Sequence, residues 1–211
     1  MEQMQILLAI LVLLPFVSAL LLALCGSDRM RRLIVYGSAG VLMISAVAFA
    51  VCFFSGENLQ LRFLQSGGII DHTMLALEAG FAVLITVLSI KYRRYYVAVL
   101  SIVQTVLTFV YELGGYKPAV QPYNLFADQL TVIMVLIIAV VGTLITVYAV
   151  GYMRDYHSHH KEYTDRRRFF FAMLYVFLGA MFGLVLSNSL LWLYFFWEIT
   201  SLVSFLSLIH I

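Results

Sequence analysis

LLWLYFFWEITSLVSF, residues Leu190 to Phe205, carries one carboxylate, Glu198, inside an apolar, aromatic-rich run. Read as a membrane helix, the run places Glu198 eight residues past its start. At ~1.5 Å per residue, that is about 12 Å into a hydrocarbon core roughly 30 Å thick. An ionisable group at that depth costs roughly 2.5–3.5 kcal/mol, so it normally faces a protein interior or a wet cavity and serves transport. Tyr194 lies one helical turn before it and Ser201 one turn after, on the same face. Such a polar stripe can hold water beside the carboxylate. The competing reading is a glutamate that only bonds a neighbouring helix, but Ser, Thr or Asn makes such a contact at lower cost.

The composition extends this reading to the whole chain. Of 211 residues, 63% are hydrophobic and 11% charged, against about 25% charged in soluble domains. Mean hydropathy is +0.98. The chain is therefore expected to be an all-α, polytopic membrane helix bundle. Seven apolar runs are present: Ile6–Leu24, Leu33–Phe54, Thr73–Ile90, Tyr95–Val110, Leu130–Val150, Phe169–Leu186, and the run from Leu190 onward. All but the short fourth are close to the ~17–25 residues of a spanning helix. None shows the alternation of a membrane β-barrel. The N-terminus, Met-Glu-Gln-Met-Gln, has no basic residue before the first run, which reads as a retained helix and not as a cleaved signal.

Charge alternates from loop to loop. Arg29, Arg31 and Arg32 fill the first loop, Lys91, Arg93 and Arg94 the third, and Arg154, Lys161, Arg166, Arg167 and Arg168 the fifth. The second loop sets Arg62 against Glu57 and Asp71, the fourth sets Lys117 against Glu112 and Asp128, and the sixth, Ser187-Asn188-Ser189, is uncharged. The positive-inside rule then puts the odd loops in the cytoplasm and the N-terminus outside. Omitting the fourth helix would strand the basic fifth loop on the wrong side. Basic residues confined to loops give no nucleic-acid signature.

Within the second loop, Leu59, Leu61 and Phe63 alternate with polar residues, predicting a short strand at the outer surface. The fourth loop is turn-rich, with Pro118 and Pro122. Cys25 and Cys52 fall at opposite membrane faces and cannot pair. Without CxxC spacing they predict no iron–sulfur or zinc site. No metal site or cofactor is expected in this chain.

Six other features point more to structure than to chemistry. Glu78, about five residues into the third run, is a possible second proton-path carboxylate, but one placed to reach the headgroups or a neighbour. Asp128, just before the fifth run, can accept hydrogen bonds from the free N–H groups of a helix start. His157, His159 and His160 read as part of a solvated, partner-contacting loop and not as metal ligands. Gly179 and Gly183 form GxxxG, a close helix–helix contact signal. Ser101, Gln104 and Thr105 read as neutral polar glue. Tyr92, Tyr95 and Tyr96 fit an interfacial aromatic belt. Nothing resembles a phosphate-binding loop, a catalytic triad or a haem ligand pair.

Five segments in order resemble a known family: Asn124-Leu-Phe-Ala-Asp128-Gln-Leu-Thr131, Tyr148-Ala-Val-Gly151-Tyr152-Met153, Arg168-Phe-Phe-Phe-Ala-Met173, Ser187-Asn188-Ser189-Leu190-Leu191 and Phe196-Trp197-Glu198-Ile-Thr-Ser201. They look like the antiporter-like membrane subunits of respiratory NADH:quinone oxidoreductase, of related membrane-bound hydrogenases, and of multisubunit sodium/proton antiporters. The resemblance covers roughly Asn124 to Phe205. It implies that Glu198 translocates protons and pairs electrostatically with a lysine on later helices. Tyr194, Ser201, Asp128 and Glu78 are the candidate supporting residues. It also implies partner membrane subunits in a prokaryotic cytoplasmic membrane, with Fe–S clusters and flavin or a NiFe centre carried elsewhere in the complex. The transported ion would be H⁺, with Na⁺ an alternative.

The apolar pair Thr73–Val110 stands where the shorter family pattern passes more directly from the second helix to Asp128. The expected organisation is residues 1–123 as four N-terminal membrane helices with an outer loop at 55–72, and residues 124–205 as the start of the antiporter-like core. The family continues through further helices and their lysines, so the chain is expected to be the N-terminal portion of a longer subunit. Residues 206–211, Leu-Ser-Leu-Ile-His-Ile, replace the Leu-Ile-Gly that the resemblance implies. A transposon end used to prepare sequencing libraries can encode them. They read as a non-native read-through tail, and His210 is assigned no role.

Overall fold

A computed structural model describes residues 2–56, 61–65, 69–93, 95–113, 123–159 and 166–210. Seven helices and two strands form, in the order α1 (Glu2–Leu24), α2 (Asp28–Phe54), β1 (Leu61–Gln65), α3 (Ile69–Lys91), α4 (Tyr95–Leu113), β2 (Tyr123–Ala127), α5 (Gln129–His159), α6 (Arg167–Leu186) and α7 (Leu190–His210). Six of the helices are long and apolar enough to cross a membrane, and α4 holds the shorter apolar stretch Tyr95–Val110. The chain is a polytopic all-α membrane bundle.

Helices α1, α2, α5 and α6 form the main body around Leu11, Leu42, Phe49, Val135, Tyr175 and Phe182, all fully or nearly fully buried. Small residues let α6 approach its neighbours closely. A Cβ on Gly179 would come within 2.9 Å of the Phe16 ring on α1, and one on Gly183 within 2.4 Å of the Phe196 ring on α7. Gly142 on α5 faces Leu178 on α6 in the same way, at 2.4 Å. Among the few polar groups of this body, the Tyr175 hydroxyl meets Ser38 Oγ at 2.6 Å and donates to the Val35 carbonyl at 3.1 Å. A second apolar cluster joins α6, α7 and α3 through Ala180, Leu191, Phe195 and Met74.

Loop contacts sort the two ends of the bundle. At one end Arg167 reaches Asp28 at 3.3 Å, and the Arg168 guanidinium lies over Gly26. Tyr92, at the α3–α4 turn, meets Phe205 near the end of α7 at a ring distance of 6.3 Å. At the other end β1 pairs antiparallel with β2, with Leu61 opposite Ala127 and Phe63 opposite Leu125. Asn188 donates its backbone N–H to the Asn124 carbonyl at 2.8 Å and its side-chain amide to the Tyr123 carbonyl at 2.9 Å. Among the described residues, those flanking the odd loops thus gather at one end and those flanking the even loops at the other.

Two helix boundaries and one strand depart from the hydropathy reading in ways that bear on the site. Helix α3 starts at Ile69, not Thr73, because the polar pair Asp71 and His72 forms its first turn. Helix α5 runs on past Val150 to His159, carried by a ladder of Tyr148, Tyr152 and Tyr156 whose rings stack at 6.3 Å, one turn apart. His157 and His159 therefore belong to a helix and not to a loop, while His160 lies outside the described residues. The expected strand forms as β1, with Leu59 outside the described residues. Its partner β2 takes residues between the turn-rich fourth loop and the fifth apolar run, where no strand was expected. Both cysteines are free.

Candidate functional site

The site lies where α7 meets the α3–α4 hairpin. Helix α7 starts at Leu190, so Glu198 is about 12 Å along it, near mid-membrane. Its apolar neighbours Phe195, Phe196 and Ile199 fix the helix against α6 and α3, and Glu198 itself is only 9% exposed.

One oxygen of this carboxylate is held twice. The Tyr194 hydroxyl, one turn earlier, donates to Glu198 Oε1 at 2.8 Å. The Gln104 side-chain amide, from α4, donates to the same oxygen at 2.5 Å. The other oxygen, Oε2, is buried and has no hydrogen-bond partner among the described residues. Buried carboxylate oxygens are normally satisfied, so Oε2 is the atom on which a proton, or an incoming donor, would sit.

A cleft of about 890 Å³ opens beside Glu198 between α3, α4 and α7. It runs from Gln104, Tyr194 and Glu198 past Ser89 and Ser201 to Tyr92 and Tyr96 at the basic end of the bundle. Aliphatic and aromatic side chains make most of its wall, with the few polar groups set along it. This is the form of a site that admits a small species and directs it to one point.

The candidate residues separate by position. Tyr194 touches Glu198. Ser201 lines the cleft, but its hydroxyl donates back to the Trp197 carbonyl at 3.1 Å. Asp128 is remote and caps α5: its Oδ1 accepts the Thr131 backbone N–H at 2.8 Å and the Thr131 hydroxyl at 2.9 Å. These hydrogen bonds hold its carboxyl below the ordinary value.

Glu78 lies nine residues from the helix start at Ile69 and about six into the apolar span that begins at His72, and it is 2% exposed. Burial that deep excludes a carboxylate extended to the headgroups. Gln104 was read as glue, yet it contacts Glu198 directly. The signal that could have found it is its place as the one amide in the middle of α4, VLSIVQTVLTF, where the other polar residues are small hydroxyls that can bond their own backbone.

The family described as NADH-Ubiquinone oxidoreductase (complex I), chain 5 N-terminus, matches residues 121–170. A Na(+)/H(+) antiporter subunit A1 of Staphylococcus haemolyticus (strain JCSC1435) is 32% identical over 112 residues, covering 53% of this chain and 13% of that protein. A Na(+)/H(+) antiporter subunit A1 of Staphylococcus aureus (strain JH9) is 27% identical over 151 residues, covering 64% of this chain and 18% of that protein. The chain thus matches less than a fifth of the length of these curated relatives.

Proposed function

We propose that this chain, an antiporter-like membrane subunit of the complex I and sodium/proton antiporter superfamily, moves protons through Glu198 as part of a multisubunit membrane complex. The supporting observation is the asymmetry of the carboxylate, with Oε1 held by Tyr194 and Gln104 and Oε2 unpartnered. Two donors fix the orientation of the group, so the second oxygen takes and gives up the proton at a constant place. A cation brought near Oε2 favours the carboxylate, and its withdrawal into a dry site favours the neutral acid. Alternating the two loads and unloads one proton. The lysine that the resemblance implies on later helices would supply that cation.

The basic odd loops would face the cytoplasm, with the N-terminus outside, in the cytoplasmic membrane of a prokaryote. The cleft then opens toward the cytoplasm and serves as the approach to Glu198. In this reading redox chemistry in partner subunits drives the transport, and the family match to a complex I chain supports it. A second reading makes the chain part of a multisubunit sodium/proton antiporter, and the names of the curated relatives favour it. The neighbouring genes discriminate: quinone-reductase or hydrogenase subunits for the first, small antiporter subunits for the second.

The test is Glu198→Gln in the assembled complex, with Glu198→Asp beside it. The glutamine variant should assemble and lose proton transport, while the aspartate variant should keep part of it. Wild-type transport by the assembled glutamine variant would reduce Glu198 to a structural contact.

A further inference from the structure

The α3–α4 hairpin does more than pad the bundle. It interrupts the chain between two strands that pair with each other, β1 and β2, so the sheet forms on either side of it. Its α4 supplies the Gln104 donor to Glu198. Its α3 runs parallel to α7, because Phe81 meets Phe195 at 5.7 Å and Tyr92 meets Phe205 at 6.3 Å. Those two pairs set the register. Glu78 lies level with the first turn of α7, about six residues, or roughly 9 Å along the axis, before Glu198.

Along the helix axis, the register of these ring pairs puts Tyr194 between the levels of Glu78 and Glu198. Its hydroxyl is bonded to Glu198. Glu78 falls on the α7-facing stripe of α3, one turn from buried Met74 and nearly one from Phe81, which packs on Phe195. A glutamate buried to 2% exposure in a helix that spans the membrane is an expensive feature. The cleft leads to Glu198 from the Tyr92 end, and Glu78 lies beyond Glu198 toward the opposite end. Cleft, Glu198, Tyr194 and Glu78 therefore follow one another along a single seam between α7 and the hairpin.

We infer that Glu78 is a second protonation site in series with Glu198, joined to it through the Tyr194 hydroxyl. This rests on the proton-translocating role proposed for Glu198. In the transfer, neutral Glu198 gives its proton to the Tyr194 oxygen while the Tyr194 hydroxyl proton passes, by way of intervening water, to the Glu78 carboxylate. Each O–H bond that breaks is replaced by one that forms, Tyr194 and the water stay neutral, and the negative charge moves from Glu78 to Glu198. The hairpin thus gives this protein an acid along the membrane normal that the shorter family pattern, lacking the inserted pair, would not have.

The experiment measures proton transport by the assembled complex in membrane vesicles, with a pH-sensitive dye, for Glu78→Gln, Glu78→Asp, Tyr194→Phe and Glu198→Gln. Assembly is scored separately. Glu78→Gln and Tyr194→Phe should each slow transport at least tenfold, and Glu78→Asp, which keeps the acid, should recover most of the rate. Dicyclohexylcarbodiimide, which reacts with neutral buried carboxyl groups, should modify Glu78 in the wild type as judged by mass spectrometry. Wild-type transport by Glu78→Gln, with Glu198→Gln inactive, overturns the series site and leaves the role of Glu198 standing. Wild-type transport by both glutamine variants overturns both. If Glu78→Gln does not assemble, Tyr194→Phe and the carbodiimide decide together: a wild-type rate in Tyr194→Phe or an unmodified Glu78 overturns the inference, and a tenfold loss with Glu78 modified supports it.

Discussion

Replacing Gly183 with alanine gives a sharp test of how α7 is seated. The added Cβ would lie 2.4 Å from Phe196 Cε1 and Cζ and 2.6 Å from Cε2. Carbon atoms rest at about 3.5–4.0 Å, so ring and helix must separate by about 1 Å. The ring has little room to turn: it is 6% exposed and packed against Phe195 and Trp192 at 5.5 and 6.2 Å. Overpacking of this kind costs about 1–3 kcal/mol. Removing a helical glycine returns about 0.5–1 kcal/mol, so the net loss should be about 1–2 kcal/mol. Gly80 is the control, since a Cβ there meets nothing within 4 Å; Gly80→Ala should be neutral or slightly stabilising. Denaturant unfolding of the detergent-solubilised protein can be followed by tryptophan fluorescence, because both tryptophans, Trp192 and Trp197, lie on α7. Glu198 is half a turn beyond Phe196, so the same displacement should loosen the Gln104 bond and slow transport. Equal or greater stability of Gly183→Ala relative to Gly80→Ala would refute this packing of α6 on α7.

Two further predictions concern the body of the bundle. Tyr175→Phe removes a buried hydroxyl that meets Ser38 and the Val35 carbonyl, so unfolding should become easier by about 1–2 kcal/mol with the transport rate little changed. Asp128→Ala removes the α5 cap and should cost about 1 kcal/mol at neutral pH. Because the Asp128 carboxyl is held below its ordinary value in the folded protein, its contribution is present above about pH 4 and is lost as pH falls further. The stability gap between wild type and Asp128→Ala should therefore close in acid, and a gap that widens there would contradict the capping geometry.

Much of the fold was legible because the bilayer enforces simple rules. Each spanning segment had to be apolar and long, and the loop charges counted the helices, the short fourth included. Glu198 was legible for the same reason, as a charge where charge is costly. Contacts between segments distant in sequence were not. The Gln104 bond joins residues of α4 and α7 that only docking brings together, and no local pattern encodes it. The start of α3 was placed late because Asp71 and His72 lower the hydropathy of its first turn, and the burial of Glu78 was hidden because it depends on docking against segments distant in sequence. Strand β2 was hidden because Tyr123–Ala127 takes its pairing from β1, across the whole hairpin.

The account stands on the protonation of one side chain changing as the protein works. Infrared difference spectroscopy of the assembled complex during turnover reads this directly through the C=O stretch of a neutral carboxylic acid. A proton carried by Glu198 gives a band that comes and goes with turnover in the wild type and is missing in Glu198→Gln. A spectrum with no such change, or one that the glutamine variant leaves intact, would contradict it.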